Sequence, residues 1–405
     1  MAVNCCHGLN RRLRHQPHEL RVSRTVQQRT EFPPMTEKLP ETSDPKPDPV
    51  VLKITAGTLT RVLHFVRRLL GWLTIAYVGA ACVAMLALEW WGEHLWVFSL
   101  LLFAPPQILL LPLAILTPLC LLFRRRLCLW HLACVVVLAF GYMTFRWAGS
   151  SPPDERMITA ITFNAGESNR PQFAAFIEQE KPDFILLQDG GYRAPELARK
   201  LPGSFVVALR EFVLVSRYPI TASELLTEPN WAGYPVAARF EVQMKGQPLV
   251  LYSVHLPTPR QELSRFLGGR RILGDLVGKR RREPGFGNYG EWIGKRIELA
   301  RALAKVFADE KQPFIVGGDF NMPDHGAIYH LFAAEMTDAH TGAGRGWGLT
   351  FPGSTRNPLT AFGPWLRLDY FFTGRGWRAV ECRPEPGSLS QHKAVFARFA
   401  PVPEK

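Results

Sequence analysis

Three long stretches without Asp, Glu, Lys or Arg stand out in the first 150 residues of the chain. They cover residues 69–88, 95–123 and 127–145, and each is long enough for a helix to cross about 30 Å of hydrocarbon. Helices of soluble proteins carry a polar stripe, and these stretches carry none. We therefore predict three transmembrane helices within residues 69–146. Prolines interrupt the second stretch, so we expect that helix to be kinked or partly interfacial.

The pattern changes after residue 150, where short apolar runs end in Asn, Asp, Gln or His. Such runs between turn residues predict buried strands with polar groups at their ends. Two stretches with apolar residues at three- and four-residue spacing, RPQFAAFIEQE and KRIELARALAKVFADE, predict helices between the strands. Residues 151–405 are thus predicted to form a mixed α/β domain. The predicted strands include ITAITFNAG, PDFILLQDGG, EFVLVSRYPI, PLVLYSVHLPTP, QPFIVGGDFNMP and LRLDYFFTG.

Basic residues beside the apolar stretches predict the orientation of the chain. Arg67 and Arg68 precede the first stretch and residues 124–126 are all Arg, whereas residues 89–94 contain no Lys or Arg. Because positive charge stays on the cytoplasmic side, the N-terminus is expected inside and the α/β domain outside. The sequence therefore predicts a multi-pass protein of the cell (inner) membrane with an extracytoplasmic C-terminal domain.

Residues 1–68 are rich in Arg and Pro and lack periodic aliphatic residues, so we predict a disordered cytoplasmic tail. Met35 is an alternative start, because the residues before it differ in composition from those that follow. The formal net charge of +13 would suit a nucleic-acid partner. Much of the excess positive charge lies in this tail and beside the apolar stretches, where the tendency of basic residues to stay on the cytoplasmic side accounts for it. Cys382 is the only cysteine after residue 150, so no disulfide is expected within the α/β domain.

Polar residues at several strand ends indicate a shared cleft. Carboxylates that converge there would repel one another unless a cation neutralised them. The oxygen atoms of Asn164, Asp189, Asp319 and Asn321 suit Mg²⁺ or Mn²⁺ rather than a thiolate-bound metal. The sequence therefore predicts a hard divalent metal in this cleft.

Seven short motifs follow one another between residues 155 and 400: TFNAG, the acidic residue after LLQ, SRYP, VHL, GDFN, LRLDYFF and a closing Ser-x-His. In this order they resemble the endonuclease/exonuclease/phosphatase superfamily, which includes deoxyribonucleases, abasic-site endonucleases, sphingomyelinases and inositol polyphosphate phosphatases. The resemblance implies a four-layer α-β-β-α sandwich of two packed sheets. Three spans before such a domain, and the segment Thr350-Phe351-Pro352, resemble a membrane-anchored bacterial subgroup.

The resemblance also implies roles for individual residues. Asn164 and Asp189 would hold the metal, although the family normally has Glu where this chain has Asp189. Asp319 and Asn321 would orient the attacking water and bind phosphoryl oxygens. On an extended segment, alternation would place these two on one side while Phe320 points into the core.

His392 would act on the water or the phosphate, and Asp369 would fix its tautomer. His255 would assist departure of the leaving oxygen or stabilise the transition state. The general base stays open between Asp319 and His392. Gln391 stands where the family has Asp, so the site would either bind its metal more weakly or use the amide oxygen of Gln391 as a neutral ligand.

Three functions remain open at this point. The first is a metal-dependent phosphomonoesterase or phosphodiesterase on lipid-linked or other envelope phosphates, since a tethered enzyme shares a surface with such substrates. The second is an extracytoplasmic nuclease, which the location makes less favoured. The third is a degenerate protein that binds phosphate without turnover. A basic, Gly-rich insertion between Pro257 and Trp292 suits an anionic substrate or lipid headgroups. The oligomeric state does not follow from the sequence.

Overall fold

The computed structural model describes residues 49–149, 154–166, 172–227, 233–244, 246–259, 289–353, 363–387 and 391–402. The predicted tail up to residue 48, including Met35, lies outside these ranges. So do residues 260–288 of the basic insertion and Ser390 of the closing motif.

Helices dominate up to Tyr142, and strands with shorter helices follow. The helices are α1 (Pro49–Trp91), α2 (Trp96–Leu102), α3 (Leu113–Phe123), α4 (Cys128–Val136), α5 (Gln172–Glu180), α6 (Ala194–Lys200), α7 (Tyr289–Asp309), α8 (Ala327–Glu335) and α9 (Ala339–Ala343). Short 3₁₀ turns cover Pro106–Leu110, Arg125–Leu127 and Gly191–Arg193, and α4 continues as a π-helix over Val137–Tyr142.

The strands are β1 (Arg146–Trp147), β2 (Ile158–Asn164), β3 (Phe184–Gln188), β4 (Phe205–Leu209), β5 (Phe212–Ser216), β6 (Ile220–Thr227), β7 (Pro235–Met244), β8 (Gln247–His255), β9 (Phe314–Asp319), β10 (Thr337–Asp338), β11 (Arg345–Gly346), β12 (Asp369–Thr373), β13 (Trp377–Pro384) and β14 (Val395–Pro401). Each of the six runs quoted from the sequence overlaps at least one of these strands.

Among the described residues, three helical segments are long and apolar enough to cross a membrane: Gly57–Trp91, Pro106–Phe123 and Arg125–Tyr142. The bounds of all three differ from those predicted, and those of the first two differ most. Helix α1 begins at Pro49, so residues 49–68, predicted to be disordered, are helical. The second predicted span, residues 95–123, is broken, because α2 ends at Leu102 and the chain turns at Pro105 and Pro106 before the helical path resumes. A proline lacks the backbone N–H that would continue the helix.

The α/β domain contains two six-stranded sheets. Their strand orders are β10-β12-β9-β8-β7-β6 and β13-β14-β2-β3-β5-β4. Within them β2 is parallel to β3 and β8 is parallel to β9, while the other neighbours are antiparallel. Apart from these sheets, β1 pairs with β11, which joins the exit of the third span to the domain.

Three apolar cores hold four layers together. One lies between the two sheets and contains Phe240 and Phe371. A second packs α7 and α8 against the sheet that contains β9, around Phe307 and Phe320. The third packs α5 and α6 against the sheet that contains β2. This arrangement confirms the predicted α-β-β-α sandwich, because each sheet buries one face on the other sheet and one face under helices.

Candidate active site

Asp319 ends strand β9 and is the centre of the site. Its side chain is 1% exposed. Strand β9 lies between β8 and β12, and the register places His255 and Asp369 directly beside Asp319. The ends of three neighbouring strands therefore bring together three residues that the sequence analysis had selected.

His392 and Asp369 form a buried pair on one side of Asp319. The His392 Nδ1 lies 2.9 Å from a carboxylate oxygen of Asp369, and its Nε2 lies 3.6 Å from Asp319 Oδ2. Burial lowers the pKa of His392, but the carboxylates of Asp369 and Asp319 outweigh it and raise the pKa to about 9. The imidazole is thus held with Nδ1 towards Asp369 and Nε2 towards the centre of the site.

His255 and Glu211 form a second pair on the other side of Asp319. The His255 Nδ1 lies 3.1 Å from Glu211 Oε1, and its Nε2 lies 3.8 Å from Asp319 Oδ2. Burial lowers the pKa of His255, and the hydrogen bond to Glu211 with the charges of Asp319, Glu211 and Asp189 raises it to about 9. Two histidines therefore face the same aspartate oxygen, each backed by a carboxylate.

Glu211 was not predicted to be a site residue. This residue comes immediately before strand β5, inside the quoted EFVLVSRYPI run. A glutamate at the start of a strand is usually solvated, so its position alone gave no reason to choose it. The available signal was its place at a strand end, which is where the other site residues lie.

Two asparagines bind Asp319 from the remaining sides. Asn164 Nδ2 donates to Asp319 Oδ2 at 2.9 Å, and the backbone N–H of Asn321 donates to Asp319 Oδ1 at 2.9 Å. Asn321 Nδ2 also donates to Leu256 O at 2.9 Å. The predicted extended geometry of Asp319 and Asn321 is wrong, since Asn321 has a φ of 48°. A tight turn with a side-chain to backbone bond, rather than strand alternation, holds the two side chains together, and Phe320 is buried as predicted.

Asp189 follows strand β3 in a left-handed conformation, with a φ of 50°. Its carboxylate is 43% exposed and lies 3.8 Å from His255 Nδ1. Burial raises its pKa, the charge of His255 lowers it, and the carboxylates of Glu211 and Asp319 raise it further. Asp189 therefore lies at the more open edge of the site, beside Glu211.

The donor set fits the hard divalent metal that the sequence predicted. One ligand atom each from Asp189, Glu211 and His255 lie within 4.8 Å of one another, and so do atoms from Asp319, Asp369 and His392. The site thus gathers four carboxylates and two imidazoles. Clustered carboxylate oxygens are the preferred ligands of Mg²⁺ and Mn²⁺.

Gln391 is half-buried and precedes His392 directly. Its backbone carbonyl accepts a hydrogen bond of 2.6 Å from Gly353 N. Its predicted role as a neutral metal ligand stays a prediction, as do the metal roles of Asn164 and Asp189.

The segment Thr350-Phe351-Pro352 lines the buried pair. Thr350 Oγ1 accepts hydrogen bonds from the backbone N–H groups of Leu368 and Asp369, at 3.0 and 3.2 Å. The ring of Phe351 lies 4.9 Å from the imidazole of His392, measured between centroids. This segment therefore fixes the start of β12 and covers one side of His392.

Comparison with known proteins places residues 161–392 in a sequence profile described as "Endonuclease/Exonuclease/phosphatase family". No curated protein sequence matches the chain significantly. Among solved structures, a humanized D. rerio TDP2 is 14% identical, with a TM-score of 0.44, over 60% of this chain and 99% of that one. A mannosyl-6-phosphatase from Bacteroides thetaiotaomicron is 12% identical, with a TM-score of 0.39, over 60% and 99% of the respective chains.

Proposed function

The chain belongs to the endonuclease/exonuclease/phosphatase family, and on that premise we propose that it is a membrane-anchored, divalent-metal-dependent phosphohydrolase. Members of this family hydrolyse phosphoesters and generally need a divalent metal. The observation that carries the proposal is the pair of imidazoles, each backed by a carboxylate, that face Asp319 from opposite sides.

Phosphate binding follows from this arrangement. With both imidazoles protonated, His255 and His392 each direct an N–H at the space beside Asp319 Oδ2. Fixed donors of this kind stabilise the negative charge that develops on phosphoryl oxygens during transfer. A bound metal would supply further charge neutralisation there, and the oxygens of Asp189, Glu211 and Asn164 would hold it.

Proton transfer divides between the two sides. Asp319 and His392 both lie where they can orient a water on one side of the phosphate. Either Asp319, or His392 in its neutral form, can take the proton of that water, and the choice between them stays open. On the other side, protonated His255 can give a proton to the leaving oxygen. Glu211 and Asp369 each accept from Nδ1, which leaves Nε2 of either histidine for the substrate.

The expected location of the domain narrows the range of candidate substrates. Three segments long enough to cross a membrane precede the domain, and the basic residues beside them favour an extracytoplasmic domain. We therefore propose lipid-linked or other envelope phosphates as substrates. Tethering raises the effective concentration of a substrate that lies in the same membrane.

Turnover by the full-length protein in detergent tests the proposal. A generic phosphodiester, a phosphomonoester, a polyprenyl phosphate and plasmid DNA would be offered with Mg²⁺ or Mn²⁺ and again with EDTA. We expect metal-dependent turnover of a phosphoester other than DNA, lost in Asp319→Ala and His392→Ala and kept in Asp309→Ala, which changes an exposed residue of α7. Cleavage of DNA alone would indicate the nuclease, and undiminished turnover by His392→Ala would contradict the mechanism.

The non-catalytic alternative rests on Asp189 and Gln391, where acidic groups are shortened or lost. Glu211 argues against it, because it supplies a further carboxylate beside Asp189. The variant Gln391→Asp tests the non-catalytic alternative directly. Activity that appears only in Gln391→Asp would show that the natural site binds phosphate without turnover.

A further inference from the structure

Residues 324–330, which follow Asn321, contact the ends of α1 and of the third span. Glu89 lies in the last turn of α1, and its two carboxylate oxygens contact His325 Nδ1 at 2.6 Å and His330 Nε2 at 2.8 Å. The other ring nitrogen of His325 lies 2.6 Å from the carbonyl of Tyr142, at the end of the third span. A carbonyl and a carboxylate only accept hydrogen bonds, so His325 carries both ring protons. This imidazolium joins α1, the third span and the domain.

Glu93 makes a second connection between the same regions. Its side chain is fully buried, and its Oε2 accepts from Ile328 N, at 3.3 Å, in the first turn of α8. A carboxylate at this end of a helix is stabilised by the unpaired N–H groups there. Gly326, with a φ of 92°, leaves the space for it, because a Cβ at that position would lie 2.4 Å from Glu93 Oε2.

Arg296 continues the connection from Glu93 to the centre of the site. Burial raises the pKa of Glu93 to about 7, and the positive charge of Arg296 opposes this rise. Its guanidinium donates to the backbone carbonyl of Asn321 at 2.6 Å and to that of Phe320 at 3.2 Å. It also donates to Pro257 O at 3.1 Å, just beyond the strand that ends with His255. One buried cation therefore binds the Asn321 turn to the segment that follows strand β8.

The third span reaches the same segment by a further route. Thr144 Oγ1 donates to Asp324 Oδ2 at 2.7 Å, and Asp324 lies 3.6 Å from Arg367, two residues before Asp369. The ring of Tyr142 stacks on His325 with centroids 4.0 Å apart. Residues 324–330 are thus bound by polar contacts from both helices, whereas a simple tether would require none.

We propose that the ends of α1 and of the third span support the active site. In this role Glu89 and Glu93 are positioning residues for the turn that carries Asp319 and Asn321. Neither residue touches the reacting atoms. They act by holding residues 324–330, which continue the turn that Arg296 binds at the carbonyl of Asn321. The proposal uses the proposed function only for its kinetic test.

The full-length protein in detergent or nanodiscs allows a test with two independent measurements. Hydrogen exchange would be followed at residues 319–330, and kcat and KM on a generic phosphodiester would be determined for the same samples. The variants are Glu89→Gln and Glu93→Gln, with Glu178→Gln, an exposed position on α5, as the matched control. His330→Gln is a milder change, since His330 is half-exposed and contacts Glu89 from the surface.

We expect exchange at residues 324–330 to rise about tenfold or more in Glu89→Gln and Glu93→Gln, because local opening becomes easier, with a smaller rise in His330→Gln. We expect kcat to fall about tenfold or more with little change in KM, because small displacements of catalytic groups affect the chemical step. Unchanged exchange in all three variants, or faster exchange with unchanged kcat, would overturn the proposal. If the unmodified protein turned over no phosphoester, the proposed function would fail, and the exchange measurement would still decide the positioning role.

Discussion

The two histidine–carboxylate pairs beside Asp319 differ in how much water reaches them. The side chains of His392 and Asp369 are 8% and 0% exposed, whereas those of His255 and Glu211 are 18% and 35% exposed. Asp189, next to the second pair, is 43% exposed. We call His392 and Asp369 the closed pair, and His255 and Glu211 the open pair. The closed pair suits a role in which the geometry of the site is fixed before the substrate binds. The open pair suits one in which ligands enter and leave, and the departure from the family at Asp189 falls on this side.

The largest expected effect compares the carboxylates of the two pairs. We expect Asp369→Asn to lower kcat by roughly 10²–10³-fold and Glu211→Gln by about tenfold, because no water can replace the buried acceptor that fixes the His392 tautomer. The measurement is kcat on the best phosphoester found, at saturating metal. Equal losses in the two variants would show that exposure does not separate their roles.

For metal affinity we expect the opposite order, with the larger loss on substitution of the open side. We expect Asp189→Asn and Glu211→Gln each to weaken Mn²⁺ binding about tenfold, since each removes a charged oxygen ligand from the open side. Asp369→Asn keeps its carbonyl oxygen within the closed pair and should leave the affinity within about twofold. Mn²⁺ binding followed by electron paramagnetic resonance needs no turnover. A loss confined to Asp369→Asn would move the metal to the closed side.

The contrast also shows what the sequence could predict. Asn164 and Asp319, which end buried strands, were found because apolar runs reveal strands and parallel neighbours finish at one edge. His255 was selected through the family resemblance. Glu211 was missed because its function depends on contact with His255, which comes from another sheet, and no local pattern encodes that pairing. The Asn321 turn was misjudged because its geometry comes from side-chain hydrogen bonds.

The membrane-proximal region gives the same lesson at a larger scale. Hydropathy predicted three spans from local composition, and three helices of sufficient length are present. Composition could not reveal that Glu89 and Glu93 contact residues 325–330, more than 200 positions further along the chain. Contacts of that separation depend on how the helices and the sandwich pack together.

The smallest expected effect concerns the pH dependence of stability without metal. The pKa of His392 and of His255 is raised to about 9 in the folded protein, above an unfolded value near 6.5. A raised histidine pKa adds stability that is complete below about pH 6.5 and is lost as the pH rises through about 9. The free energy of unfolding in EDTA should therefore fall between pH 6.5 and 9.5, by roughly 1–3 kcal/mol for the closed pair.

Solvent screening reduces the contribution of the open pair. Asp369→Asn should therefore remove more of this pH-dependent loss than Glu211→Gln, because each substitution takes away the carboxylate that raises one histidine pKa. Denaturant unfolding at both pH values, with Asp309→Asn as the exposed control, measures the difference. If Asp369→Asn leaves the pH dependence of the free energy of unfolding unchanged, Asp319 alone holds the proton on His392. The closed pair would then have no separate electrostatic role.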